Sequence, residues 1–328
     1  VLVREVVELL RPCLDGVIVD CTVGTGGHAE AILLASERVR VIGIDWDEEA
    51  LALAQERLRP YGDRFVPVCE DFKRLAEILD RQGLVTVAGI LVDLGVSSLQ
   101  LEKAERGFSF QREGPLDMRM DRRRAVTAAE LVNTLSEREL ADLIARYGEE
   151  PAARRIARAI VRARTRRPIR TTTELAEIVA RAVGVRRTRR THPATRTFQA
   201  LRIAVNEELV GLESFLDTAI ERLLPGGRLV VISFHSLEDR AIKQRLRFHA
   251  GLCDCAARRW GARTETEPCP QCGAARRIVL LTRRPLRPSE AEVRENPRAR
   301  SAKLRAGVRC PASDEICDDR VLAGAASA

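Results

Sequence analysis

The segment Asp20-Cys21-Thr22-Val23-Gly24-Thr25-Gly26-Gly27-His28 sets a carboxylate beside a glycine-rich turn. Glycine lets backbone amides approach a ligand closely and takes conformations that other residues avoid. About one helix later, Gly43-Ile44-Asp45 places a second carboxylate where ribose hydroxyls could donate to it. Glu70-Asp71-Phe72 offers acids and a ring for an adenine, and Asp93-Leu94-Gly95-Val96-Ser97-Ser98 adds a carboxylate, a tight turn and hydroxyls. Together these read as a nucleoside-cofactor site rather than as structural turns alone. A pyrophosphate would sit over the helix N-terminus, where Asp20 would repel it. A sulfonium would be drawn to the same carboxylate, so the pattern favours S-adenosylmethionine over NAD.

Methyl transfer to an exocyclic amine is limited by a lone pair delocalised into the base. An acceptor for the amine N–H draws that nitrogen toward a nucleophilic state, and Asp93 is the candidate, with an N-cap as its plainer role. Arg106-Gly107-Phe108-Ser109-Phe110 and Ser233-Phe234-His235-Ser236 pair rings with polar groups in a chain holding only eight Phe, two Trp and two Tyr. These rings could stack on an extruded base or fill a core. His235 could orient the base, accept a proton or simply bond locally. Gly114-Pro115-Leu116-Asp117-Met118-Arg119 reads as a turn of undecided role. Cys253-x-Cys255 and Cys269-x-x-Cys272, thirteen residues apart, have the spacing of a structural zinc knuckle; free thiols are the other reading.

Four apolar runs, Val17–Val19, Val39–Ile44, Phe65–Val68 and Val87–Val92, precede the acidic residues. Strands ending in acids place polar groups along one crevice of an open α/β sheet. The sheet pattern stops after Asp93 and resumes near Gly227. Between them Ser136–Glu139 and Thr171–Glu174 read as capping boxes, and apolar stripes recur at helical spacing. The spacing predicts a Rossmann-like α/β sheet over 1–103 and 201–306, an inserted all-helical domain over 104–200, and a disordered tail over 307–328. It further predicts one helix over Asn206–Leu223, a Leu224–Gly227 turn, a strand over Arg228–Phe234, a helix over Leu237–Leu246 and a late strand over Ile278–Leu281.

The chain's 328 residues suffice for a sheet core and a second domain. No run of 18 apolar residues appears, so no membrane-spanning helix is expected. Nine cysteines in so long a chain suit a reducing cytoplasm better than a disulfide scaffold. Fifteen arginines and two acids leave Pro151–Arg202 at +13 within a chain of net +8. That imbalance points to a polyanion such as nucleic acid, with Arg186, Arg187, Arg189 and Arg190 forming its densest loop. Oligomeric state is open, a homodimer included.

Taken in order, these motifs resemble the bacterial small-subunit ribosomal RNA methyltransferase H (MraW) family. Those that carry the resemblance are Asp20–His28, Gly89–Ser98, Gly107–Phe110, Gly114–Met120, His192–Arg202, Ser233–Arg240 and Glu295–Ser301. The resemblance implies S-adenosylmethionine-dependent methylation of a cytosine N4 in 16S rRNA, near the decoding centre of the small ribosomal subunit. It implies a class I methyltransferase sheet, and cofactor contacts from Gly26, Gly27, His28, Asp45, Phe72, Asp93 and Gln100. The rivals are a DNA amino-methyltransferase and a non-catalytic RNA-binding protein that kept the fold. The first is disfavoured because Asp93-Leu94-Gly95-Val96 stands where such enzymes carry Pro-Pro and an aromatic. A His-x-Pro that precedes this point in the family is absent, which implies a missing N-terminal piece. The tail beyond Arg305 is unmatched, and the cysteine pairs are not required by the family.

Overall fold

A computed structural model describes residues 1–184, 192–255 and 268–311. The basic loop Arg186–Arg190 and Cys317 lie outside the described residues. The chain divides into two compact units, Val1–Gly95 with Gly211–Ala328, and Val96–Val210. The second is wider at both ends than the 104–200 insert read from the sequence.

The first unit is built on a seven-stranded sheet. Its strands are β1 (Val17–Asp20), β2 (Arg40–Asp45), β3 (Phe65–Cys69), β4 (Val87–Asp93), β5 (Leu223–Ser233), β6 (Ile278–Leu280) and β7 (Lys303–Arg309). They lie in the order β3-β2-β1-β4-β5-β7-β6. The first five run parallel, and β7 runs antiparallel to both its neighbours. This is the Rossmann-like α/β sheet expected from the sequence, with one antiparallel strand set between β5 and β6. Strands covered on both faces become continuous apolar runs, which is why β1 to β4 were visible in the sequence. Beneath them Leu2, Val6, Leu10, Ile18, Ile32, Leu33, Leu91, Val230, Ile232 and Leu304 form one buried cluster. The helices of this unit are α1 (Val3–Leu10), α2 (Gly27–Ala35), α3 (Glu48–Leu58), α4 (Leu75–Arg81), α11 (Leu212–Glu221) and α12 (Ser236–His249).

Three expectations change here. Leu224–Gly227 is not a turn before a strand but a bulge inside β5, because pairing with β4 jumps from Val87↔Leu223 to Gly89↔Arg228. Gly307–Arg309, assigned to the tail, belong to β7. Within that strand Arg305 is buried with its Nε 2.7 Å from Asp239 of α12, and Lys303 lies 3.0 Å from the same carboxylate. The helix expected over Asn206–Leu223 starts only at Leu212, because the preceding helix ends at Asn206 and Glu207 (φ 51) and Gly211 (φ 74) take left-handed backbone before it.

The second unit is helical: α5 (Ser98–Glu102), α6 (Ala128–Thr134), α7 (Glu137–Gly148), α8 (Ala153–Arg164), α9 (Thr172–Val183) and α10 (Thr195–Asn206). Ser136 and Glu139 form the reciprocal cap of α7. Thr171 caps α9 through the Glu174 N–H, but the Glu174 carboxylate turns to the Arg170 N–H instead. On α8, Ala153, Ile156, Ala157 and Ile160 are buried while Arg154, Arg158 and Arg162 are exposed. Arg106 is 2% exposed and donates to the carbonyls of Arg119 and Met120. The buried Asn206 side chain bonds the Met120 N–H and the Met118 carbonyl. The Gly107 and Gly114 motifs are therefore the scaffold of this unit: Leu116 N–H bonds the Arg170 carbonyl, and Thr172 N–H the Gly114 carbonyl.

Among the described residues no helix is long and apolar enough to cross a membrane.

Candidate active site

Strand order reverses between β1 and β4, and open α/β sheets bind ligands beyond the carboxyl ends of strands at such a point. The glycine loop following β1 is anchored on both sides of it. Cys21 donates to the Leu91 carbonyl and Val23 to the Ile44 carbonyl, each at 2.9 Å. The Asp93 N–H donates to Thr22 Oγ1 at 2.7 Å. Gly26 ends the loop at φ 87 and caps α2; a Cβ there would lie 3.2 Å from Leu58 Cδ1 on α3. The turn is thus glycine both for its backbone and for the closeness of α3.

Three carboxylates gather in this unit at the ends of β1, β2 and β4. Asp45 accepts the Gly24 N–H at Oδ2 (2.8 Å) and the Asp47 N–H at Oδ1 (2.9 Å), which fixes its plane against the loop. Each oxygen keeps a second lone pair for a further donor. Asp20 is fully buried; Oδ1 accepts the Thr22 N–H at 3.2 Å, while Oδ2 has no partner. Burial, reinforced by the charges of Asp93 and Asp45, pushes Asp20 up to about 7. Burial likewise raises Asp45 to about 6. Asp93 is raised by burial and held back by His28, whose Nδ1 lies 3.7 Å from Oδ2; Oδ1 is buried without a partner. The opposite His28 nitrogen, Nε2, is 2.8 Å from the Val1 carbonyl. A carbonyl only accepts, so Nε2 carries the hydrogen and Nδ1 faces the carboxylate. A crevice of buried acids with unpartnered oxygens is at its most stable beside a cation.

The remaining expected residues divide. Phe72 is 7% exposed and sets its ring against Phe215 at 4.7 Å, with Trp46 at 6.3 Å. Half-buried Trp46 directly follows Asp45, a position sequence reasoning passed over although its place after the ribose acid was the signal. Thr22, which holds Asp93 by its backbone, was missed too, since nothing in its type announced the role. Glu70 and Asp71 are engaged locally: Glu70 Oε2 lies 2.9 Å from Arg74 Nη1, and Asp71 accepts the Lys73 N–H. Gln100 belongs to the second unit, where its side chain accepts the Ser97 N–H and closes the cap of α5. Phe108, in the same unit, is buried, and Phe110 packs on Phe198 and His192.

His235 caps α12. Its Nδ1 accepts the Glu238 N–H at 3.3 Å, and Nε2 lies 3.0 Å from Glu238 Oε1. Nδ1 is thus taken up by the helix cap, while Nε2 faces the Glu238 carboxylate. Phe234 beside it covers Gly95, 3.3 Å from where a Cβ would stand. Elsewhere in this unit the sulfurs of Cys253, Cys255, Cys269 and Cys272 all lie within 4.8 Å of one another.

The sequence matches the profile of the MraW methylase family over residues 1–309, so the likeness runs past Arg305 to the end of β7. It is 49% identical over 306 residues to the Ribosomal RNA small subunit methyltransferase H of Carboxydothermus hydrogenoformans, covering 93% of this chain and 96% of that one. The protein of the same name from Symbiobacterium thermophilum is 50% identical over 317 residues, covering 96% and 97%. That from Syntrophobacter fumaroxidans is 50% identical over 308 residues, covering 93% and 94%.

Proposed function

The chain belongs to the MraW methylase family, and from that premise we propose that it methylates the exocyclic N4 of a cytidine in 16S rRNA, near the decoding centre of the small ribosomal subunit, using S-adenosylmethionine. The observation that carries the donor assignment is the buried, unpartnered Oδ2 of Asp20 beside the glycine loop. It suits a ligand that is positively charged and free of phosphate. When bound, that donor supplies an electrophilic methyl group.

This chain's residues do the rest. Asp45, held by the Gly24 and Asp47 amides, accepts from the ribose. Gly26 and Gly27 keep the backbone close to the ligand, and the ring of Trp46, with Phe72 behind it, gives the adenine an apolar wall. Asp20 and the loop amides hold the charged amino-acid end. Asp93 Oδ1 accepts one N–H of the target amine and so localises the nitrogen lone pair. Aligning that amine with the methyl carbon accounts for much of the acceleration, because orientation alone is worth roughly 7–11 kcal/mol in well-placed reactions. The amine proton is acidic once the nitrogen is cationic, and Asp93 takes it or passes it to water. His28, facing Oδ2, is a positioning residue. The exposed arginines of the second unit contact rRNA phosphates.

The test is transfer of labelled methyl from S-adenosylmethionine to isolated small subunits lacking the modification, with nucleoside mass mapping of the product. N4-methylcytidine that vanishes in Asp93→Ala is the expected result. A label on a ring carbon, or none with the donor bound, overturns the assignment.

A further inference from the structure

We propose that Cys253, Cys255, Cys269 and Cys272 bind a structural zinc ion that ties the end of α12 to the edge of the sheet. All four are free thiols, and their sulfurs lie within 4.8 Å of one another. Tetrahedral zinc with four thiolates needs sulfurs about 3.8 Å apart, given Zn–S bonds of about 2.3 Å. A modest contraction of the existing cluster reaches that geometry.

The backbone around the second pair is shaped for a metal. In Cys269-Pro270-Gln271-Cys272-Gly273 the chain folds back tightly: Gly273, at φ 75, donates to the Cys269 carbonyl at 2.7 Å, and Cys269 donates to the Ala274 carbonyl at 2.8 Å. The amides of Cys272 and Gln271 are directed at the Cys269 sulfur. Amides aimed at a sulfur neutralise part of a thiolate's charge, the support that ligating groups receive from their surroundings. Four thiolates carry more negative charge than one divalent ion offsets, so such donors matter.

The position explains what the ion would do. Leu252 N–H bonds the Arg247 carbonyl just past α12, and Arg277 N–H bonds the His249 carbonyl at 2.6 Å just before β6. Cys253 and Cys255 therefore leave the helix where Cys269 and Cys272 lead back to the strand. β6 has three residues and is the outermost strand, too short to hold its edge by pairing alone. The opposite end of α12 carries His235 and follows Phe234, which covers Gly95 two residues after Asp93. Zinc at the far end of this helix fixes the element that walls the crevice, without taking part in its chemistry.

The experiment is elemental analysis of the full chain purified untagged under reducing conditions, with reconstitution by cobalt(II). One zinc per chain is expected, together with the charge-transfer and d–d absorption of a tetrahedral four-thiolate cobalt site. The Cys253→Ser, Cys272→Ser double variant should lose the metal, Cys69→Ser should keep it, and chelation should lower the Tm of the wild type by several degrees. A chain without stoichiometric metal whose four thiols react freely, one that pairs these cysteines as disulfides, or one that holds iron overturns the proposal.

Discussion

A fully buried carboxylate with one oxygen unpartnered makes Asp20 the most pH-sensitive residue of the crevice. Folded, it keeps its proton up to about pH 7, whereas its ordinary value is 3.8. The folded chain without ligand therefore binds more protons than the unfolded one over that interval. The stability this group contributes is fully present below about pH 4 and is lost as pH rises through about 7. Asp45, raised to about 6, acts in the same direction. A cationic donor reverses the preference, because it binds the ionised acids. Donor affinity should thus rise from pH 6 to 8 and then level off, with proton release visible by calorimetry in buffers of different ionisation enthalpy. Asp20→Asn should flatten both profiles above pH 6 and weaken donor binding by about tenfold or more, since each pKa unit of differential interaction corresponds to a factor of ten. Wild-type affinity that does not change with pH would remove Asp20 from the donor site. Asp93 differs in kind: Asp93→Ala should lower kcat by roughly 100-fold or more while changing donor affinity far less, a split that single-turnover kinetics resolves.

Glycine at the hinge points decides whether the elements can assemble at all, and Gly107 is the sharpest case. It sits at φ 72, and a Cβ there would lie 2.2 Å from the Pro115 carbonyl oxygen and 2.7 Å from the Asp117 nitrogen. Backbone atoms cannot step aside as a side-chain tip can. Gly107→Ala should cost more than about 2 kcal/mol, read as a lower urea midpoint. Gly83→Ala, also at positive φ but with nothing within 4 Å, should cost only about 1–2 kcal/mol. Equal losses would show that conformation alone, and not the approach of Pro115, demands the glycine. The same contrast between local and distant causes sets what the sequence disclosed. Strands β1 to β4 and the acids at their ends were legible because burial on both faces writes an uninterrupted apolar run and then a polar stop. β7 was not, since Lys303 and Arg305 become strand residues only through Asp239, more than sixty positions away. His235 was legible as a polar residue at a turn, but its engagement by Glu238 is a property of the cap of α12. The protonation of Asp20 was hidden as well, because it depends on burial and on two other carboxylates.

Charge is distributed along the whole chain so that one contiguous stretch carries more than its net value. Pro151–Arg202 holds +13 of a total of +8, leaving the remainder at −5. On α8 the apolar residues are consumed by the core of the helical unit, and Arg154 and Arg162, with Arg166 just beyond the helix, stay exposed. Three guanidinium groups spaced along and just past one helix have little use within the fold, where exposed ion pairs contribute at most about 1 kcal/mol. Against a polyanion their effect is larger, because each phosphate neutralised releases bound counterions and steepens the fall of affinity with salt by about 0.7 for single-stranded RNA. Replacing Arg154, Arg162 and Arg166 by Gln should therefore flatten the slope of log K against log salt by up to about 2. Donor affinity and the urea midpoint should stay near the wild-type values, since none of the three is buried. Filter binding to a 16S rRNA fragment across 50–300 mM salt measures the slope directly. An unchanged slope with weaker binding would assign these arginines to the folding of the unit, and an unchanged slope with unchanged binding would place the RNA on another face of the protein.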